Sequence, residues 1–164
     1  IVHTAAMLGS LGPLEHQSYD AWLALLRVNV AAPMGLTRAL VPLLAQAPDA
    51  SVTFTLDDRG LAPRAYWGGY AVTKAGVAAL ARELADEWES RPTMRVNALV
   101  PGPIRSPMRG RTHPGEDRSA LPLPERLVQL YLYLLAGQAK AESAALIDAR
   151  RWLAGATATS ALVA

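Results

Sequence analysis

The chain has 164 residues, 51% hydrophobic and 18% charged, which fits one globular domain with a real core and excludes disordered and fibrous classes. Its 16 basic and 14 acidic side chains leave a net charge of +2, too balanced for a nucleic-acid surface. Without cysteine there are no disulfides or thiolate metal sites, and His3, His16 and His113 form no metal-binding pattern. No run of about 18 apolar residues suggests a bilayer span, and Ile1 does not open a signal peptide. The expectation is a cytoplasmic protein with no membrane, metal or nucleic-acid partner.

Ile1 to His3 read as the end of a buried strand, which predicts further chain upstream. A loop with Gly9, Gly12 and Pro13 follows, and Ser18 can cap the next helix through its hydroxyl. Trp22, Leu23, Leu25, Leu26, Val28 and Val30 recur at helical spacing. Pro33 interrupts that helix, which resumes through Leu36, Leu40, Val41 and Leu44. "SVTFTL" (51–56) alternates and is rich in β-branched residues, so it predicts a strand. The next helix begins near Tyr66 to Tyr70 and runs to about Glu89, with a stripe at Val72, Val77, Leu80 and Leu84. "MRVNALVP" (94–101) predicts another buried strand, ended by Pro101-Gly102-Pro103. Residues 105–124 are long for a connection and suggest a lid or binding loop, its arginines interrupted by Glu116 and Asp117. A helix over 125–135 and a short strand over 144–147 close the pattern. Strands alternating with long helices imply a parallel sheet with helices on both faces.

Tyr70 and Lys74 lie four apart near a helix start, so both project from one face. A nearby ammonium stabilises tyrosinate, which makes the phenol a usable acid or base. Asn29 precedes Pro33 by four residues, so the proline ring withholds the N–H that would bond to the Asn29 carbonyl. The result is either a seat for an ordered water or an ordinary proline kink. "NALVPGPIRSPM" (97–108) adds a buried strand, a Pro-Gly break and an Ile-x-Ser.

With "HTAAMLGSLGPL", "RVNV", "WGGYAVTK" and "RVNALVPG" in this order, the chain resembles the C-terminal two-thirds of a short-chain dehydrogenase/reductase. It is particularly similar to a bacterial branch that carries related motifs. The resemblance covers essentially the whole chain, as one partial domain over 1–164. It implies an α/β Rossmann-type fold, a doubly wound parallel sheet in three αβα layers, entered at the fourth strand and lacking the first three.

It further implies an NAD(P)-dependent oxidoreductase that moves a hydride between C4 of nicotinamide and a carbonyl or alcohol carbon. Tyr70 would donate the proton to the developing alkoxide. Lys74 would lower the Tyr70 pKa and bind the nicotinamide ribose. Asn29 would hold a water that links Lys74 to solvent. Ala5, Ala6, Pro101, Gly102, Ile104 and Ser106 would border the NAD or NADP cofactor, with Ser106 in place of the usual Thr. Tyr66, Trp67 and the 105–124 loop would border a partly apolar substrate. A homodimer or homotetramer through helices 18–46 and 68–89 would follow.

Three departures bear on that reading. The family's serine, thirteen residues before the tyrosine, is Asp57 here, and an ionised carboxylate accepts but cannot donate. Its charge would also oppose tyrosinate and alkoxide. Thr55 shares its strand face but stands about 6–7 Å too far along. The usual Asn-Ala-Gly after the fold's fourth strand is Thr4-Ala5-Ala6. No Gly-x-x-x-Gly-x-Gly for the pyrophosphate occurs among the twelve glycines. The alternatives to an enzyme are therefore a degenerate, non-catalytic binding or assembly module, or a truncated product without activity.

Overall fold

Every second residue of the two longest strands faces the same helices, and this alternation organises the molecule. The computed structural model describes residues 1–136, 143–144 and 146–155. Four strands, β1 (Val2–His3), β2 (Ala50–Thr55), β3 (Met94–Val100) and β4 (Leu146–Asp148), form one parallel sheet in the order β1-β2-β3-β4. Thr53 is the Cα partner of both Val2 and Asn97, and Leu99 that of Ile147.

On one face Ala50, Val52, Phe54 and Leu56 join Met94, Val96, Ala98 and Val100 under the helix α4 (Gly68–Glu87). Val77, Ala81 and Ala85 supply the helix side of that core, and Trp88 closes its end. On the other face Leu99 and Ile147 pack with Leu130 and Leu134 of α6 (Val128–Leu135). Ser51 reaches across to donate to the Leu134 carbonyl at 2.8 Å. Each fully buried Leu, Val or Phe contributes roughly 1.5–3 kcal/mol, so β2 and β3 are held by burial on both faces.

Ser18 caps α1 (Tyr19–Leu26) by accepting from the Ala21 N–H at 3.4 Å. Where Pro33 predicts an interruption, residues Arg27–Ala31 form a turn of π-helix, and α2 (Ala32–Leu44) resumes with Pro33 in its first turn. The N–H of Ala32 reaches the Arg27 carbonyl, five residues back. This wider turn lets the helix continue past a residue without an N–H. Contrary to expectation, the 26-residue helical stretch Tyr19–Leu44 contains an 18-residue window with mean hydropathy 1.2, long and apolar enough to cross a membrane by those measures alone. Leu25, Asn29, Pro33 and Thr37 are its buried positions.

Three short helices have no counterpart among the predicted elements: α3 (Asp58–Leu61), α5 (Pro107–Thr112) and α7 (Ala149–Leu153). The helix predicted over 125–135 opens as a 3-10 turn at Pro124–Leu127 before α6. The last strand lies at Leu146–Asp148 rather than 144–147, and Ala145 is outside the described residues, as are 156–164 of the expected domain.

Candidate active site

β2 and β3 run parallel, so their C-terminal ends open on the same edge, where a crevice forms. A cavity of about 430 Å³ lies there. Thr55, Asp57, Trp67, Tyr70 and Lys74 line one side, with Pro101, Gly102, Ile104 and Ser106 on the other.

Leaving β2, the chain is held by the Leu56 N–H on the Leu99 carbonyl at 2.7 Å. Asp57 then takes an extended conformation and caps α3, its Oδ1 accepting from the Arg59 N–H at 2.8 Å. α3 lies against the start of α4, because Gly60 presses on the Lys74 backbone. A Cβ at position 60 would stand 2.6 Å from the Lys74 carbonyl carbon. The close approach brings Asp57 Oδ2 within 3.2 Å of the Tyr70 hydroxyl, which donates to it.

α4 enters through Gly68, at φ +53°, and Gly69, whose missing side chain leaves room for Leu25 and Trp22 of α1. Tyr70 is 3% exposed and Lys74 5%. The Lys74 ammonium donates to the Thr55 carbonyl at 2.7 Å and lies 5.9 Å from the Tyr70 ring centroid. Burial pulls the Lys74 pKa down to about 8, with the Asp57 charge acting in the opposite sense. The Tyr70 pKa is pushed up, by burial first and then by the Asp57 carboxylate. That direction is opposite to the one the Tyr–Lys spacing implies, because the phenol is buried and points at an anion while the ammonium turns to a carbonyl.

Asn29 stands behind this pair, 2% exposed. Its amide accepts from the Met7 N–H at 2.7 Å and donates to the Met7 carbonyl at 2.8 Å and to Thr73 Oγ1 at 2.9 Å. Thr73 in turn donates to the Tyr70 carbonyl at 2.8 Å. Asn29 therefore ties the loop after β1 to the turn of α4 that carries Tyr70 and Lys74.

Thr4 and Ala6 line the cavity beside β1, whereas Ala5 is not in its lining. Tyr66, expected to border substrate, is 67% exposed at φ +71° and is likewise outside the lining, while Trp67 is within it. Trp67 stacks obliquely between Tyr70 and His113, each 6.0 Å away between centroids, and Arg59 covers it at 4.9 Å. Ser106 caps α5, accepting from the Arg109 N–H at 3.1 Å. Gly102 takes φ +72°, and Arg150 passes so close that a Cβ there would lie 2.6 Å from Arg150 Cγ. Arg150 bridges Asp148 at 2.7 Å and Asp58 at 3.1 Å.

The expected binding loop does wall the cavity, through Met108, Arg109, Thr112 and His113. Arg109 forms a two-pronged pair with Glu116 at 2.6 and 2.5 Å. Burial holds the His113 pKa below its usual range, and Arg109 adds to the effect. Tyr131 of α6 also lines the cavity, its hydroxyl 2.8 Å from Thr55 Oγ1. The Thr55 hydroxyl thus meets Tyr131. Sequence reading missed Tyr131, since nothing local ties a tyrosine in an apolar helix to a strand 76 residues earlier.

The family model described as short chain dehydrogenase matches residues 1–117. An uncharacterised oxidoreductase of Escherichia coli (strain K12), YciK, is 35% identical over 150 residues, covering 92% of this chain and 59% of that protein. A short chain dehydrogenase from Salmonella enterica subsp. enterica serovar Typhi str. CT18 has a TM-score of 0.87 at 36% identity, covering 91% and 61% of the two chains. A short chain dehydrogenase from Escherichia coli CFT073, solved as a complex with NADPH, gives 0.85 at 36% identity, again over 91% and 61%. The chain therefore spans about three-fifths of the length of these relatives. Its sheet is the Rossmann-like sheet of that fold, in part. The chain belongs to the short-chain dehydrogenase family of oxidoreductases.

Proposed function

We propose that the protein is an NAD(P)-dependent oxidoreductase that moves a hydride between nicotinamide and a carbonyl or alcohol carbon. One observation carries the reading: the Tyr70 hydroxyl, the Lys74 ammonium and the Pro101–Ser106 turn converge on one cavity at the C-terminal ends of β2 and β3. The donor set suits the nicotinamide half of the cofactor. Lys74 and Tyr70 offer hydrogen bonds for ribose hydroxyls, and Ser106 offers one for the carboxamide. Gly102, without a side chain, lets the turn approach a flat ring. Bound there, the cofactor supplies the hydride. Tyr70 supplies the proton to the substrate oxygen, Lys74 offers positive charge beside it, and Trp67 and Met108 give the substrate an apolar wall. The NADPH complex of the relative from Escherichia coli CFT073 supports NADP as the cofactor. A cytoplasmic setting and assembly through helices 18–46 and 68–89 belong to the same reading. Met34, Leu36, Leu43 and Val72, 43–64% exposed on those helices, support the assembly.

A second reading, a non-catalytic binding module, is favoured by the hydrogen bond from Tyr70 to Asp57, which engages the proton that catalysis needs. Nicotinamide fluorescence during NADPH and NADH titration separates the two. Saturable enhancement supports the enzyme, and its absence with both cofactors overturns it. Asp57→Ser restores a donor and removes an opposing charge, so carbonyl reduction rises at least about tenfold. An unchanged rate would show that position 57 does not limit the reaction.

A further inference from the structure

We infer that the cavity selects a substrate whose reacting double bond is a protonated imine, C=N–H⁺, and that Asp57 is the residue that selects it. The inference rests on the hydride transfer of the reading above and replaces its carbonyl by an imine, so that no proton from Tyr70 to a substrate oxygen is needed.

A site for an uncharged carbonyl must stabilise negative charge as it grows on oxygen, which calls for donors. Here the group beside the proton donor is a carboxylate. Asp57 borders the cavity; its Oδ1 holds the Arg59 N–H, and among the described residues its Oδ2 accepts the long 3.2 Å bond from Tyr70. A carboxylate oxygen has two lone pairs, so Oδ2 keeps capacity for one more donor.

The surrounding cations make their hydrogen bonds and ring contacts with other groups, while Lys74 and Arg109 interact with Asp57 through charge alone. The Arg59 guanidinium lies over Trp67, Arg109 grips Glu116, Arg150 bridges Asp58 and Asp148, and Lys74 donates to the Thr55 carbonyl. The carboxylate presents negative charge and a hydrogen-bond acceptor to whatever enters the cavity. An alkoxide forming there is repelled, whereas a protonated imine donates its N–H to Oδ2. The same charge keeps the imine protonated, which is its electrophilic form. Trp67, Tyr70 and Tyr131 line the same cavity and give a flat substrate an aromatic surround.

The charge balance suits the site. Hydride addition to the imine carbon converts the C=N π pair into the nitrogen lone pair. The two electrons come from the reduced nicotinamide, which becomes the oxidised cation. The N–H proton stays on nitrogen, so the product is a neutral amine and no anion is formed. The amine then takes a proton from solvent.

Calorimetry without cofactor tests recognition. The probes are tetrahydroisoquinolinium and its neutral counterpart tetralol, the products expected from dihydroisoquinoline and tetralone. The wild-type protein should bind the cation at least about tenfold more tightly than the alcohol, and Asp57→Asn and Asp57→Ser should each erase that preference. Near-ultraviolet circular dichroism checks that both variants fold, and the wild-type preference needs no variant at all. Equal wild-type affinities, or a preference that survives both substitutions, overturn the inference. With NADPH added, dihydroisoquinoline reduction should exceed tetralone reduction in the wild type, and Asp57→Ser should reverse the order. Faster tetralone reduction by the wild type overturns the inference and leaves hydride transfer standing. Failure to bind NADPH or NADH sinks hydride transfer, while calorimetry still decides what Asp57 recognises.

Discussion

The two walls of the cavity are built differently. The wall of Asp57, Tyr70 and Lys74 hangs directly from buried structure: β2, the α3 turn wedged on α4, and the Asn29–Thr73 link behind it. The facing wall, 101–121, is loop and short helix held by arginine side chains on carbonyls and carboxylates. Arg105 donates to the carbonyls of Arg118, Ser119 and Leu121, and Arg109 to Glu116. The first wall fixes proton-bearing atoms to within a hydrogen bond, and the second shapes the mouth. One wall is thus held mainly by packing and the other mainly by polar straps.

The largest break in this contrast comes from the core under the rigid wall. Phe54 is fully buried, in the cluster beneath α4, and its ring stacks on His3 at 4.8 Å. Phe54→Ala should cost about 3–5 kcal/mol, seen as a lower urea midpoint with an unchanged slope. A loss under about 1 kcal/mol would show that β2 is not the anchor.

Lys74 sharpens the contrast through pH. Its folded-state value of about 8 lies below its ordinary 10.5 because of burial. Between these values the unfolded chain holds the proton more firmly than the folded one, so stability from this group rises with pH across that window. Below about 8 the full penalty for a buried ammonium applies, and above 10.5 none does. Lys74→Met removes this dependence. The Tm of the variant minus that of the wild type should therefore fall as pH rises from 8 to 10.5. A flat difference would mean that Lys74 is better solvated than its burial implies.

The two walls also differ in how much of them can be read from sequence. Tyr70 and Lys74 sit at the start of one helix, so local spacing brings them together, and Asp57 follows the strand before it. The same holds for β2 and β3, whose alternation is the physical cause of their two-faced burial. Asp57 was legible as the replaced serine, but its bond to Tyr70 depends on Gly60 lying against Lys74, a contact between elements. α5 did leave a signal, Ser106 as a cap with Pro107 in the first turn. Asp57 and Asp148 cap α3 and α7 in the same manner. Such helices have too few residues for periodicity to show. His113 and Tyr131 reach the cavity only through chain folding, and nothing near them in sequence marks them.

The smallest expected effect tests the strapped wall. Arg105 is half-buried, and its guanidinium holds three carbonyls of the 118–121 turn, while its own N–H bonds to the Pro122 carbonyl at 2.9 Å. Arg105→Ala removes the side-chain bonds but keeps the backbone one. The freed carbonyls can turn to water, so the global cost should be only about 1 kcal/mol. The local consequence is larger than the global one. Backbone N–H groups of 106–121 should exchange with solvent faster, while those of β2 and β3 keep their protection. Uniform loss of protection across both walls would mean that the loop is part of the cooperative core. No change anywhere would mean that Arg109 and Glu116 hold the wall alone. A change confined to the loop would establish that one side of the cavity can move while the Tyr70–Asp57 pair stays fixed.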